Sequence, residues 1–396
     1  MSPSASAPSS DAGPLIFLVA GEPSGDLLGG RLMAALKAAT SGQIRFAGIG
    51  GATMAAEGLD SQFPLSDLAV MGIIEVVPHA PLILRRVRET AAAVKRLRPD
   101  AVVTIDAPAF AFRVGKKLKG AGIPLIHYVA PSVWAWRPRR AKMIARFLDH
   151  LLVFLPFEPP YFTREGLAAT FVGHPAVEAP KGDGAAFRAR HGISATAPVL
   201  VMLPGSRSGE VRRHLPVFRD TIARLAAKHP DLRVVTPTVP NVDAEVRAAL
   251  ADFALPVIAV GSDEKYDAFA AGDLSLAASG TVVLELAVAG VPTVMTYRVS
   301  AFSAWVVRHM VKVRYASLVN LVLNREVIPE MIQERCEAGQ LTVELTKLLD
   351  NDEARARQKA AFADVVRALT PTGAKPSERA AAVVLEIASA GTKTAH

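Results

Sequence analysis

The sequence predicts an α/β protein made of two similar halves, each a parallel sheet flanked by helices. Three observations predict it. Short apolar runs rich in strand formers alternate with helical patterns from residue 15 onward. The alternation breaks once, at the Pro/Gly-rich stretch "GHPAVEAPKGDG" (173–184), and then starts again. After about residue 341 the pattern is Ala-rich and helical, with no strand signal. The expected boundaries are therefore a polar tail at 1–14, a first half at 15–175, a second half at 176–340 and a helical region at 341–396. Two such halves on one linker normally hold a ligand in the cleft between them.

The expected strands of the first half are 15–20, 44–49, 101–105, 124–129, 150–155 and 170–172. The first of them, "LIFLVA", runs into a Gly-rich turn and a helix on which Leu27, Leu28, Leu32 and Leu36 recur at helical spacing. "GDLLGGRL" (25–32) nearly matches the P-loop, but Arg31 stands in the lysine position and Leu32 in that of the magnesium-holding hydroxyl. Glu22 would also repel a triphosphate. The turn is then either a ligand-binding βα turn at a strand's carboxyl end or a plain connection.

"LAVMGIIEVVPHAPLILRRVRETAAAVKRLR" (68–98) sets apolar residues, among them Val70, Met71, Ile73 and Ile74, before Arg85, Arg86 and Arg88. Apolar and basic side chains together suit an anionic lipid surface. A buried strand followed by an amphipathic helix with a solvated face fits equally well. "AVVTIDAPAF" ends a buried strand on Asp106, a general-base candidate whose basicity burial would raise. "HYVAPSVWAWRPRRAKMI" interleaves Trp134 and Trp136 with Arg137, Arg139 and Arg140. These could stack a base or sugar, meet lipid, or fill the core.

The expected strands of the second half are 199–203, 232–236, 257–260, 274–277 and 293–296. "VLVMLPGSRSGEVRRHLPVF" is again strand, turn and helix, with Arg207 at the helix start, where backbone N–H groups form an anion site. "LSLAASGTVVLELAVAGVP" repeats the device: Ser279, Gly280 and Thr281 lead a helix carrying Glu285 one turn on. Two such turns in one domain point to a nucleotide diphosphate, with the carboxylate on the ribose diol. "DND" (350–352) reads as a helix cap.

Bulk properties narrow the class. Of 396 residues, 51% are hydrophobic and 21% charged, as a globular core requires. The single cysteine, Cys336, excludes a disulfide framework and a Cys-based zinc site, and no histidine cluster suggests another metal centre. The tail "MSPSASAPSSDAGP" lacks the basic start and apolar centre of a signal peptide, and no apolar run approaches the length of a membrane span. A cytoplasmic protein, soluble or peripheral, is expected. Residues 15–175 carry 19 Lys and Arg against 12 Asp and Glu, whereas 176–396 carry 26 against 24. A basic first half expects an anionic partner, and the 68–98 segment favours lipid over nucleic acid.

The blocks "VAGEPSGD", "IDAP", "HYVAPSVWAWR", "LPGSR", "ASGT" with Glu285, and "SLVNL" occur in this order between about residues 15 and 370. Together they resemble the lipid-A-disaccharide synthase family of Gram-negative bacteria. The resemblance implies an inverting glycosyltransferase of the two-Rossmann-domain (GT-B) type, with no cofactor and no bound metal. It implies transfer of 2,3-diacylglucosamine from UDP-2,3-diacylglucosamine to the 6-hydroxyl of 2,3-diacylglucosamine 1-phosphate (lipid X). The products are the β-1,6-linked disaccharide 1-phosphate and UDP. It further implies a peripheral enzyme on the cytoplasmic face of the inner membrane, and a homodimer in which the carboxyl-terminal helices either pack on the first half or exchange between copies. The family mechanism calls for a carboxylate base; Asp106, at the end of a nearly all-apolar strand, is the choice over Glu22 and Asp26, with Glu22 and Arg207 also in catalytic places. Glu22, Ser24 and Asp26 lie on the sugar and acceptor side. Arg207, Ser279, Gly280, Thr281, Glu285 and Asn320 hold UDP, and Val70, Met71, Ile73, Ile74, Arg85, Arg86 and Arg88 meet the membrane. Pro23, Val319 in "SLVNL" and the longer polar tail depart from the family pattern without touching a charged group. A nucleotide-sugar epimerase of the same architecture would share the UDP turns, and a non-catalytic lipid adaptor would share only the basic apolar segment.

Overall fold

The computed structural model describes residues 13–68, 73–135, 139–278, 280–300, 304 and 313–393, with 73–79 and 391–393 described by backbone alone. The chain divides into two compact units. One comprises the chain up to Pro175 together with the segment from Thr370, and the other is Ala176–Leu369.

The first unit holds six parallel strands: β1 (Leu15–Ala20), β2 (Arg45–Ile49), β3 (Ala101–Ile105), β4 (Leu125–Tyr128), β5 (His150–Val153) and β6 (Ala168–Phe171). Their order is β2-β1-β3-β4-β5-β6. The chain leaves β1 toward β2 and returns to β1's other side as β3, so the order reverses between β1 and β3. In open α/β sheets the carboxyl edge at that reversal is where ligands bind. β1 and β3 are buried along nearly their whole length, because helices cover both faces of the sheet. On one face lie α1 (Pro23–Ala39) and a carboxyl-terminal helix (Pro376–Lys393), packing Leu32, Met33 and Leu36 with Ala380, Val383 and Val384. On the other, α3 (Ile73–Leu97) and α4 (Pro108–Leu118) bury Val87, Val94, Phe110 and Val114. The segment after residue 72 is thus helical from Ile73, not a strand leading into a helix. The short helices α2 (Ala52–Ala56), α5 (Arg139–Ile144) and α6 (Pro159–Thr163) complete the unit.

The second unit repeats the plan with β7 (Val199–Leu203), β8 (Arg233–Pro237), β9 (Val257–Val260), β10 (Leu274–Ala278), β11 (Thr293–Tyr297) and β12 (Glu330–Ile332). Their order, β12-β11-β10-β7-β8-β9, reverses between β7 and β10. Its helices are α7 (Gly184–Arg190), α8 (Ser208–Ala226), α9 (Asp243–Leu250), α10 (Lys265–Ala271), α11 (Gly280–Val288), α12 (Leu318–Leu323), α13 (Ala338–Asp350) and α14 (Asp352–Leu369). The three-residue strand β12 carries too little pattern to be read from sequence. The region after residue 341 does not act as one piece. α13 and α14 belong to the second unit, while the last helix, α15 (Pro376–Lys393), lies on α1 of the first. Asn351 of "DND" caps α14, its Oδ1 accepting the Ala354 N–H at 3.0 Å.

Candidate active site

In the first unit the register sets Ala20, Ile105 and Tyr128 side by side at the carboxyl edge, so the turns after β1, β3 and β4 meet there. Three non-glycine residues of these turns have positive φ: Asp106 (52°), Ala107 (43°) and Val129 (87°). Such conformations are costly, most of all for a β-branched residue, and cluster where function demands a fixed shape. Gly21 is required for the close approach of two of the turns, since a Cβ there would stand 2.4 Å from the Ala107 Cβ. Asp106 is half-buried. Its N–H donates to the Tyr128 carbonyl at 2.9 Å, and its Oδ2 accepts the Ser24 hydroxyl at 3.2 Å. Glu22 is exposed in extended conformation before α1, whose first position is Pro23, where a missing N–H is harmless. Ser24, Glu22 and Asp106 therefore share one edge. An apolar cavity of about 380 Å³ opens beside them, lined by Gly21, Glu22, Leu68, Ala80, Ile83, Leu84, Phe110 and Arg113 among others.

Asp26, expected on the acceptor side, has another task. Its buried carboxylate accepts the N–H groups of Gly51 (2.6 Å), Thr53 (2.9 Å) and Met54 (3.1 Å), which caps α2. Three backbone donors at one helix start explain an acid here without any ligand. Arg31, in the lysine position of the near P-loop, donates to the Pro175 carbonyl at 3.1 Å. The Trp134 indole donates to Glu158 at 3.1 Å and stands edge-on to Phe157, so it serves the framework. Glu158 also accepts from the Phe154 and Leu155 N–H groups, and burial pushes its carboxyl up to about 7. Trp136 and Arg137 lie outside the described residues.

Of the lipid-facing candidates, Val70 and Met71 lie outside the described residues, and Ile73 and Ile74 are described by backbone only. Arg85 and Arg88 are exposed on α3. Arg86 is not available to a lipid surface. It pairs with Asp67 at 2.6 Å and Glu89 at 2.7 Å, and its guanidinium lies 4.5 Å from the centre of the Phe63 ring.

In the second unit the turns after β7 and β10 flank the reversal. The first is built tightly. Gly205 has φ 126°, and a Cβ on it would stand 2.5 Å from the Glu210 Cβ. Glu210 is buried beneath the turn and accepts from the Ser206 N–H (3.1 Å), the Arg207 guanidinium (3.2 Å) and the Tyr297 hydroxyl (3.1 Å). Burial first, and the Glu210 charge second, push the Tyr297 phenol above its ordinary value, which keeps it a donor. His214 is fully buried, and burial pulls it below its ordinary value, so it is neutral. Its Nε2 accepts the Arg298 N–H at 2.9 Å, which leaves Nδ1–H to donate to the Pro204 carbonyl at 3.2 Å. Asn241 closes the turn on the Ser206 carbonyl at 2.6 Å. Arg207 itself is the N-cap of α8, and its side chain is 71% exposed.

A cavity of about 290 Å³ lies at the carboxyl ends of β7, β8 and β10. Gly205, Ser206, Pro237, Thr238, Ser262, Lys265, Thr281 and Glu285 contribute to its lining. Thr281 and Glu285 thus share the cavity as their spacing predicts. Ser279 lies outside the described residues, and Gly280 opens α11. Glu285 is joined by Lys265, whose Nζ reaches Oε1 at 3.0 Å and Oε2 at 3.1 Å, and by the Tyr266 hydroxyl at 3.3 Å. Burial works against the Lys265 ammonium, but the Glu285 charge and hydrogen bonds outweigh it and hold the group above its ordinary value.

Asn320, expected beside UDP, is instead a framework residue. It is fully buried and its Oδ1 accepts from the Val327 and Ile328 N–H groups at 2.7 and 3.1 Å. Its Nδ2 donates to the Ile328 carbonyl and Glu330 at 3.0 and 2.8 Å, which fills the hydrogen-bonding capacity of an amide. Sequence reasoning missed Glu210, Tyr297, His214, Thr238, Ser262 and Lys265. Only Glu210 had a local signal, as an acid in the first turn of a helix.

Among the described residues no cluster of three or more His, Cys, Asp and Glu could hold a metal ion. A family model described as lipid-A-disaccharide synthetase matches residues 16–384. A lipid-A-disaccharide synthase of Rhodospirillum centenum is 52% identical over 378 residues, covering 94% of each chain. One of Paramagnetospirillum magneticum is 49% identical, covering 95% of this chain and 98% of its own. Among solved structures, a putative UDP-N-acetylglucosamine 2-epimerase from Listeria monocytogenes has a TM-score of 0.67 at 13% identity, covering 97% of this chain and 98% of its own. The glycosyltransferase of kitacinnamycin has a TM-score of 0.60 at 15% identity, covering 95% and 99%. At such identities these structures are alike in fold alone.

Proposed function

We propose a catalytic arrangement from one premise: this chain belongs to the lipid-A-disaccharide synthase family, and it is a glycosyltransferase that forms the lipid A disaccharide. The donor is UDP-2,3-diacylglucosamine and the acceptor 2,3-diacylglucosamine 1-phosphate. The single observation that carries the donor reading is the second-unit cavity at the strand-order reversal, lined by Gly205 and Ser206 of the turn into α8 and by Thr281 and Glu285 of α11, with Arg207 next to Ser206 in the chain as the α8 N-cap. Helix starts and a guanidinium suit a diphosphate, and a carboxylate suits a ribose diol. Arg207 exchanges Glu210 for the diphosphate as UDP binds, while Glu210 keeps the Ser206 N–H and the Tyr297 hydroxyl.

On the acceptor side, Asp106 takes the proton from the 6-hydroxyl as that oxygen attacks the anomeric carbon from the face opposite UDP. Its place beside the strained turns and its bond from Ser24 support this role. Glu22, exposed on the same edge, orients the acceptor sugar. The apolar cavity next to it has the lining an acyl chain needs. Arg207 and the helix starts stabilise departing UDP.

The same reading includes a peripheral association with an anionic membrane surface, supported by exposed Leu84, Arg85 and Arg88 on α3, and a homodimer, which rests on family resemblance. No helix of the described residues is long and apolar enough to cross a membrane.

The test is incubation of the purified protein with both lipids, followed by mass spectrometry and measurement of released UDP. Disaccharide 1-phosphate with one UDP per linkage is expected. Epimerised sugar without disaccharide would replace this reading with that of an epimerase.

A further inference from the structure

Glu285, the carboxylate assigned above to the ribose diol, does not stand alone. A carboxylate offers about four lone-pair positions. Lys265 approaches both oxygens and Tyr266 donates to Oε1, which leaves one position, on Oε2. A vicinal diol with two donors would find only one acceptor. The ammonium has three N–H donors and engages two carboxylate oxygens, so it retains one for a hydroxyl oxygen. Both side chains are one-quarter exposed and both line the 290 Å³ cavity. The Tyr266 ring centre, 4.5 Å from Nζ, adds a cation–π contact that helps hold the ammonium in place.

We propose that Lys265 and Glu285 form one donor–acceptor unit that reads the two ribose hydroxyls of a nucleoside diphosphate. Glu285 accepts from one hydroxyl, and Lys265 both positions that carboxylate and donates to the other. The inference rests on the cavity being the nucleotide site and adds the residue that sets its sugar specificity.

The experiment is calorimetric titration of the full chain with UDP, with 2′-deoxy-UDP and with 3′-deoxy-UDP. The wild type prefers UDP by about tenfold, the worth of one hydrogen bond to a charged group. Lys265→Met weakens UDP by about tenfold and cuts the preference to less than about threefold. Lys265→Arg keeps a charge and donors and restores most of the preference. Glu285→Gln tests the acceptor half with Lys265 intact and lowers the preference too, which guards against a Lys265→Met chain that does not fold. A Lys265→Met protein with the wild-type preference over both deoxy nucleotides overturns the inference. A wild type that binds UDP well but no better than either deoxy nucleotide also overturns it. A wild type that binds none of the three overturns the nucleotide reading of the cavity itself.

Discussion

Replacing Arg207 by Ala separates a catalytic guanidinium from a structural one. The structure supplies the magnitude on the folding side. The side chain is 71% exposed and pairs with Glu210 at 3.2 Å, three residues further along the chain. Although Glu210 is buried, the guanidinium stands in solvent, which screens the pair to about 0–1 kcal/mol. Glu210 is not stranded by the change, because the Ser206 N–H and the Tyr297 hydroxyl still donate to it. The turn is held besides by His214 on Pro204 and Asn241 on Ser206. Unfolding free energy in urea should therefore fall by no more than about 1 kcal/mol. On the catalytic side, one lost stabiliser of developing charge costs about 10²–10³ in rate. Arg207→Ala should show that loss in kcat with a smaller rise in KM for the donor, since the interaction strengthens as the diphosphate departs. Arg207→Lys should recover part of it, keeping charge but not the fork. The assay is release of UDP under saturating acceptor, run beside a urea titration of each variant. Wild-type turnover in a folded Arg207→Ala protein would remove the guanidinium from the mechanism. A loss of several kcal/mol in stability would show instead that the turn depends on it.

Asp106→Asn keeps the shape of the strained turn and the Ser24 contact while removing the proton acceptor. Turnover should fall about 10²–10⁴-fold with UDP affinity nearly unchanged, and equal activity in that variant with loss in Glu22→Gln would move the base to Glu22. Asp26→Ala leaves three N–H groups at the start of α2 uncapped and should cost about 2–4 kcal/mol in a urea titration. If Asp26→Ala unfolds like the wild type but fails to bind acceptor, its role is recognition after all. Glu158, held up to about 7 by burial, resists ionising in the folded state. Its contribution to stability is complete below the ordinary glutamate value of about 4.5 and is lost as pH rises through 7. Glu158→Gln should flatten that part of the stability–pH curve, and a slope that survives unchanged assigns it to another group.

What the sequence by itself determined is what short-range chemistry encodes. Alternating apolar runs and helical periods predict two parallel sheets, because a strand buried on both faces must be apolar throughout. The turns after β7 and β10 were legible because glycine, hydroxyl and arginine at a helix start have few other uses. The resemblance carried by "PSVWAWR" and "LPGSR" led to the family that the comparisons establish. The tertiary structure decided which polar residues are left for a ligand. Asp26 and Asn320 look like site residues in one dimension, and only folding brings Gly51, Thr53 and Met54 to the first and the 327–330 segment to the second. Lys265 is the reverse case. It lies 20 residues from Glu285, and nothing local marks it until α10 and α11 set the two charges 3.0 Å apart. A polar side chain's role depends on which donors and acceptors remain after packing. That remainder belongs to contacts distant in sequence, so no local pattern contains it.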